Sequence, residues 1–240
     1  MEVIVVDDNS TDATHEIVKQ FPCVKYLSLP TDDPHRFNYR GVNINAGWMA
    51  RNVGIDHAHG EWLTFQDADD ASLRNRIEIQ LFLAKKYQSR HVCTNWQQFN
   101  DVLIGTSFDI NTWNKQKQNS FISRSTITAL AKKTKGVGFS LFRGLHPYIP
   151  FILKKRSSLF FRSWDSYPYA GNSPFVKREV FKHVRFRPRN ERVWPSDRGR
   201  GADRDFNFQV AETFQDSICI NIPLYLWRVK IQNPTLTNLS

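Results

Sequence analysis

Residues 61–70 read EWLTFQDADD, an apolar run closed by three carboxylates within four positions. Trp62, Leu63 and Phe65 give residues 61–66 the character of a short buried strand, because a run of this length is too brief for a helix. Gly60 is placed to end a preceding helix. The strand therefore delivers Asp67, Asp69 and Asp70 to a turn at its carboxyl end. Three like charges held so close repel one another unless a cation or strong donors compensate. A hard divalent ion is one compensator, since Mg²⁺ or Mn²⁺ takes oxygen ligands and commonly shares them with substrate phosphates. An aspartate-rich cap before Ser72 is the other, favoured by the dipole of the helix that follows. Taken alone, the tetrad leaves both readings open.

Working outward, residues 2–6 (EVIVV) form a β-branched run that suits a buried parallel strand and ends on Asp7 and Asp8. Asn9, Ser10 and Thr11 offer an N-cap for a helix over 12–21, with Ile17, Val18 and Phe21 on its apolar side and Pro22 after it. A second strand is expected over 24–29, a polar loop over 30–39 and a helix over 45–58. Leu73, Ile77, Leu81 and Ala84 mark a helix over 72–87, and residues 91–95 a fourth strand. Strands alternating with helices predict an α/β fold, a Rossmann-like, mostly parallel central sheet flanked by helices. Ligands of such sheets bind beyond the carboxyl ends of the strands, where both acidic clusters fall. Beyond residue 100 the pattern is irregular, aromatic and basic. A boundary there divides one domain into two regions, 1–100 and 101–240.

The net charge of +10 and pI near 9.6 imply acidic partners: nucleotide phosphates, nucleic acid or an anionic membrane surface. The basic residues concentrate between 115 and 200, in KQK, KKTK, LKKRSS, VKRE and RFRPRNER. A solvated basic surface with no binding role is the plainer reading of the same charge. Residues 145–164 interleave apolar and aromatic side chains with Lys154, Lys155, Arg156 and Arg162, a composition compatible with peripheral contact at an anionic membrane. Cys23, Cys93 and Cys219 lack the spacing of zinc sites or disulfide frameworks and read as thiols in a reducing compartment. No apolar run is long enough to span a bilayer and no signal-peptide pattern opens the chain. A cytoplasmic protein is expected, with peripheral attachment to the inner face of the membrane as its one route to a bilayer.

Four stretches, VIVVDDNSTDAT (3–14), ARNVGIDHAHGEWLTFQDADD (50–70), GNSPFVKREVF (171–181) and ADRDFNFQV (202–210), taken in this order resemble the motif blocks of family 2 glycosyltransferases. The resemblance implies the GT-A type α/β fold, a nucleotide-sugar donor, a UDP-sugar above all, and a divalent metal, Mn²⁺ or Mg²⁺. It implies that Asp8 contacts the nucleotide base with Asp7 supporting the turn. Arg51 and Asn52 would line the nucleotide pocket, where an arginine suits bidentate contact with a diphosphate. Asp67, Asp69 and Asp70 match the family's DxD-type element, with Asp69 and Asp70 facing the metal and Asp67 and Asp69 the donor. Asp203 matches the base of inverting members, although the usual Glu-Asp reads Ala202-Asp203 here, which makes Asp205 its rival. A surface carboxylate paired with Arg198, Arg200 or Arg204 is the structural alternative for either.

Two departures from the family pattern carry expectations of their own. Members usually begin with a further strand and helix ahead of the block that opens here at Glu2, so a central, nucleotide-binding strand is expected to be missing. The late Tyr-Arg-x-His of the family reads Trp227-Arg228-Val229-Lys230, and Lys230 would bind phosphate rather than ligate metal. On the acceptor side, Trp164, Tyr167 and Trp194 lie among basic residues and offer flat faces to a sugar ring; packing in the core is the alternative for each. The expected partners are a nucleotide-sugar donor and a glycan or lipid-linked acceptor, with no nucleic acid, because three clustered aspartates repel a polyanion. The competing reading is a catalytically inactive or truncated homologue that binds polyanions through its basic half. A nucleotidyltransferase is disfavoured by the lack of a glycine-rich, lysine-bearing phosphate loop near the start of the chain.

Overall fold

Val3, Ile4, Val5 and Val6 form the strand that their β-branching predicts. In the computed structural model, which describes residues 1–33, 36–37, 47–111, 121–135, 167–169, 171–194 and 201–228, β1 (Val3–Asp7) pairs in parallel with β2 (Val24–Ser28). The short α1 (Thr14–Val18) connects them, a single turn where a longer helix was expected over 12–21. α2 (Trp48–Asp56) lies on β1 where Gly54 meets the Val6 side chain.

Among the described residues the larger sheet has six strands: β3 (Trp62–Thr64), β4 (Ala71–Ser72), β5 (His91–Gln98), β6 (Phe121–Ile122), β7 (Phe175–Lys177) and β8 (Ile218–Trp227). Their order is β3-β7-β5-β8-β4, and β6 also pairs with β8. β8 is thus flanked by β5 on one side and by β4 and β6 on the other. Among the described residues only β5 and β8 run parallel in this sheet; β3–β7, β5–β7, β4–β8 and β6–β8 are antiparallel. The α/β class agrees with expectation, while the sheet is mixed rather than mostly parallel. The difference arises in the second half of the chain, whose β7 and β8 enter the sheet between the strands of the first half.

Side chains on successive strand residues point to opposite faces, and β8 uses both. Ile218, Ile220, Ile222, Leu224 and Leu226 join Val92, Leu73, Ile79 and Leu83 in one core, under α3 (Arg76–Lys86). Cys219 joins Cys93 on the other face, with Phe208 and Ala211 of α5 (Ala202–Phe214) and Ile127 and Ala131 of α4 (Arg124–Thr134). All three cysteines are free thiols, Cys23 exposed and the other two buried. Pro223 has no N–H to give a ladder, and it sits where the β5–β8 register shifts between Thr94 and Trp96. The bulge is what lets a proline occupy an interior strand. Among the described residues no helix is long and apolar enough to cross a membrane. The basic, aromatic stretch 145–164 lies outside the described residues.

Candidate active site

The turn after β3 is braced from three directions. Arg51 of α2 donates to Asp67 Oδ1 at 2.6 Å and Asn172 donates to Asp67 Oδ2 at 3.2 Å. From β8, the Tyr225 hydroxyl donates to Asp70 Oδ2 at 2.8 Å and accepts the Asp67 N–H at 3.3 Å. The Arg228 N–H donates to Asp70 Oδ1 at 2.7 Å, and its Nε to the Asp69 carbonyl at 2.9 Å. Burial raises the pKa of Asp70 despite those two donors, and the neighbouring Asp69 and Asp67 push it the same way. Asp69 is the exposed carboxylate of the three.

Beneath the turn lies Arg76, 4% exposed at the start of α3. Its guanidinium donates to Gln66 Oε1 (3.0 Å), Ser72 Oγ (2.8 Å), the Phe65 carbonyl (2.9 Å) and Thr64 Oγ1, and lies 5.5 Å from the centre of the Tyr225 ring. Burial pulls its pKa down to about 10, which leaves it cationic at neutral pH. A cation under a cluster of carboxylates offsets their repulsion. Neither Arg76 nor Tyr225 is apparent as a site residue in the sequence. The one signal was an arginine on the otherwise core-facing side of a periodic helix.

At the end of β1, Asp7 accepts from the Ser10 N–H at 3.0 Å, from the Ser10 hydroxyl and from the Tyr26 hydroxyl at 2.7 Å. Burial opposes ionisation of Asp7, yet these donors together hold its pKa below the ordinary value. Asp7 is therefore a clasp that shapes the turn. Asp8 pairs with Arg36, which also donates to the Asp8 carbonyl at 3.3 Å. Burial raises its pKa and Arg36 resists the shift. Asn52 uses both ends of its amide on the Phe186 backbone, at 2.8 and 3.1 Å. It fixes the loop under Arg51, whose guanidinium lies 5.4 Å from the centre of the Phe186 ring.

The first turn of α5 carries Asp203 and Asp205 in opposite situations, as two residues separated by about 200° around a helix must be. Asp205 is wholly buried. Arg187 holds it with Nε and Nη2 at 2.9 and 2.8 Å, and the N–H groups of Val193 and Trp194 donate to it at 2.7 and 3.0 Å. Asp203 is half-buried and approaches Gly171 so closely that a Cβ there would lie 3.3 Å from Asp203 Oδ2. A larger residue there would also press on Asn207 Nδ2, 3.2 Å from the same position, so both side chains would have to give by a few tenths of an ångström. The Gly171 carbonyl accepts from Asn207 at 2.6 Å, and Asn207 in turn accepts from His91 Nε2 at 2.9 Å. With Nε2 as donor, His91 Nδ1 accepts from the Ser217 hydroxyl at 2.8 Å. Burial lowers the His91 pKa to about 4, so this buried relay is neutral at physiological pH.

Gly171 against Asp203 and Asn172 on Asp67 are consecutive residues. The loop before β7 thus brings the two acid clusters to one place, although 136 positions separate Asp67 from Asp203 in the chain. Tyr167 and Trp194, expected to stack on a sugar, are 5% and 1% exposed. Trp194 is covered by Phe208 and donates to the Ala131 carbonyl at 3.0 Å. These two rings belong to the core, where burying their large apolar faces stabilises the fold. Trp164 and Lys230 lie outside the described residues, as do Arg198 and Arg200.

Among the described residues no three His, Cys, Asp or Glu side chains gather into a metal-binding cluster. Both oxygens of Asp70 accept hydrogen bonds, from Tyr225 of β8 and from the Arg228 N–H, as both oxygens of Asp67 do from Arg51 and Asn172, and each oxygen keeps a second lone pair that can face a metal beside the exposed Asp69. One or two carboxylates suit Mg²⁺ or Mn²⁺, which complete their shells with phosphate oxygens and water.

The profile of the family described as Glycosyl transferase family 2 matches residues 1–146. Glycosyltransferase GlyA of Streptococcus pneumoniae is 33% identical over 102 residues, 42% of this chain and 13% of that protein. A Campylobacter jejuni GalNAc(5)-diNAcBac-PP-undecaprenol beta-1,3-glucosyltransferase is 35% identical over 78 residues, 32% of this chain and 23% of that protein. The chain therefore spans a minor part of the length of these curated relatives. The structure of S. aureus TarS 1-349 in complex with UDP-GlcNAc superposes with a TM-score of 0.53 at 14% identity, covering 100% of this chain and 52% of that one. Identity this low speaks to the fold, the GT-A type α/β arrangement.

Proposed function

The chain belongs to glycosyl transferase family 2, and on that premise we propose that it transfers a sugar, with inversion, from a UDP-sugar to a hydroxyl of a glycan or lipid-linked acceptor. The observation that carries this reading is the Gly171–Asn172 loop, which adjoins Asp203 on one side and Asp67 on the other. A base and a donor site must lie together for displacement at an anomeric carbon, and this loop supplies that proximity.

Asp203 is the base. It takes the proton of the acceptor hydroxyl as that oxygen attacks, while Gly171 keeps the approach to its carboxylate open. Asp205 has its oxygens engaged by Arg187 and two amides and serves as the anchor that fixes the helix turn. Asp69 and Asp70, with Asp67 beside them, would hold the divalent ion, Mn²⁺ or Mg²⁺. That ion, when bound, neutralises charge on the departing diphosphate. Arg51 adds a guanidinium beside Asp67, and Lys230 a further cation for phosphate. Asp8 and Arg36 form a polar pair for the nucleotide base. On this reading region 1–100 serves the donor and region 101–240 the acceptor and the base.

Calorimetry of UDP with Mn²⁺ or Mg²⁺ tests the donor half, and Asp69→Asn should weaken the metal-dependent part at least tenfold. Asp203→Asn should lower transfer by about 10²- to 10⁴-fold, the usual contribution of a general base, and leave UDP affinity unchanged. Absence of UDP binding with either metal would sink the proposal. Full transfer by Asp203→Asn would sink the base assignment alone.

A further inference from the structure

The sheet face that carries Tyr225 continues into two exposed tryptophans. Parallel pairing sets Trp96 beside Tyr225 and Gln98 beside Trp227. Residues in register, or two apart along a strand, share a face, so Trp96, Tyr225 and Trp227 project from the same side. Tyr225 is buried under the acidic turn, whereas Trp96 and Trp227 are 40% and 44% exposed. Their ring centres are 4.8 Å apart and their planes meet at 88°, forming an aromatic corner. Indoles contribute most when buried, so two adjacent ones left in solvent call for an explanation.

The surroundings narrow that explanation. Arg228, one residue beyond Trp227, holds Asp70 and Asp69 with its N–H and Nε. Its guanidinium lies 3.8 Å from the centre of the Phe99 ring. Gln98, exposed, in register with Trp227 and two residues from Trp96, brings a carboxamide to the same face. The corner thus has the Gln98 carboxamide at its edge and adjoins the acidic turn. An anionic membrane asks for a wide apolar surface ringed by cations, and among the described residues Arg228, the cation beside the corner, is already committed to the turn. A β-linked gluco- or galacto-configured pyranose asks for something different. Its axial C–H groups form a weakly electropositive apolar face that suits an aromatic ring, and its equatorial hydroxyls need amide donors and acceptors around the edge.

We propose that Trp96 and Trp227 form a subsite for a pyranose ring of the acceptor glycan, seated beside the acidic turn. The subsite rests on the transferase reading above, and it replaces Tyr167 and Trp194 as the aromatic contact to the acceptor.

Saturation-transfer NMR on the full chain, with cellotetraose and chitotetraose as probes and no donor present, tests this directly. Saturation should reach the ring protons of one face in at least one probe. Trp227→Ala and Trp96→Ala should each reduce it several-fold, and the double variant should abolish it. Trp227→Tyr, which keeps an aromatic face, should restore part of the signal. Thermal melting should stay within a few degrees and UDP binding with Mn²⁺ should not change, which separates loss of a contact from loss of the fold. Undiminished saturation in the double alanine variant, no saturation of either probe by the natural chain, or a loss confined to binding of phosphatidylglycerol vesicles would each overturn the subsite. Saccharide saturation by a chain that binds no UDP would uphold the subsite and overturn the transferase reading instead.

Discussion

In the acidic turn two of three carboxylates are tied to other elements, Asp67 to Arg51 and Asn172 and Asp70 to β8, while Asp69 is exposed. In the first turn of α5 one of two is sealed inside the protein and the other opens toward Gly171. Both regions set a working carboxylate beside a structural one, but they separate the roles by different means. The turn crowds its charges and relies on arginines and a tyrosine from distant strands and helices to hold them. The helix separates its charges by its own geometry, placing one inward and one outward. The turn should therefore be sensitive to many residues individually, and the helix to one residue severely.

The largest effect expected is at that one residue. Asp205→Ala leaves Arg187 and two backbone amides without their acceptor in the interior, and breaking a buried pair from one side costs about 3–5 kcal/mol. Asp203→Ala, two residues away and only partly buried, should change stability much less, by about 0.5 kcal/mol. Urea denaturation of the two variants measures the contrast. Equal losses would mean that both carboxylates are structural.

The next effect concerns the relay that ties α5 to the Gly171 loop. Burial depresses the His91 pKa to about 4, against an ordinary 6.5. Between those values the unfolded chain takes up a proton that the folded chain refuses, so stability is lost as pH falls from 6.5 to 4. The loss is on the order of 3 kcal/mol by the size of the shift. His91→Gln removes the titration and should flatten the difference over that window in urea denaturation at stepped pH. An unchanged slope would place the titrating group elsewhere.

How far the sequence disclosed this arrangement depends on element length. β1 shows as a β-branched run and β5 by its apolar start, and the acidic turn was visible because its charges follow β3. The stripe read for α3, in contrast, turned Ile77 inward, whereas the helix leaves Ile77 exposed and buries Arg76, Ile79 and Leu83. β4 and β7, with two and three residues, are too short to have a pattern. β8 carries Pro223, which argues against an interior strand unless the bulge opposite it is known. α5 buries Asp205, Phe206, Asn207 and Phe208 in succession, so no single apolar stripe marks it as a helix. Asp203 was recognised by its resemblance to a family motif, but nothing local to the sequence distinguished it from Asp205. Trp194 and Trp227 look alike in a list of aromatic residues, and only packing separates the buried one from the exposed one.

The smallest effect probes the turn's dependence on a remote brace. Tyr225→Phe removes a single hydroxyl, the donor to Asp70 Oδ2, and keeps the ring that stacks under Arg76. A hydrogen bond of this kind contributes about 1 kcal/mol net. Its dependence on pH has a definite sign. Burial holds the Asp70 pKa above the ordinary value, opposed by the Arg228 N–H and the Tyr225 hydroxyl. The folded chain therefore keeps that proton to higher pH than the unfolded chain, and stability declines as pH rises from the ordinary aspartate value to the raised one. Without the hydroxyl the pKa moves further up and the decline extends further. The gap between the natural chain and Tyr225→Phe should thus be wider at pH 7, where less of Asp70 is protonated and the lost donor matters more, than at pH 4. A several-fold weaker affinity for UDP with Mn²⁺ should accompany it, because Asp69 sits between two carboxylates that the tyrosine aligns. A gap independent of pH, with UDP affinity unchanged, would show that the turn holds its shape without β8, and the contrast with α5 would then disappear.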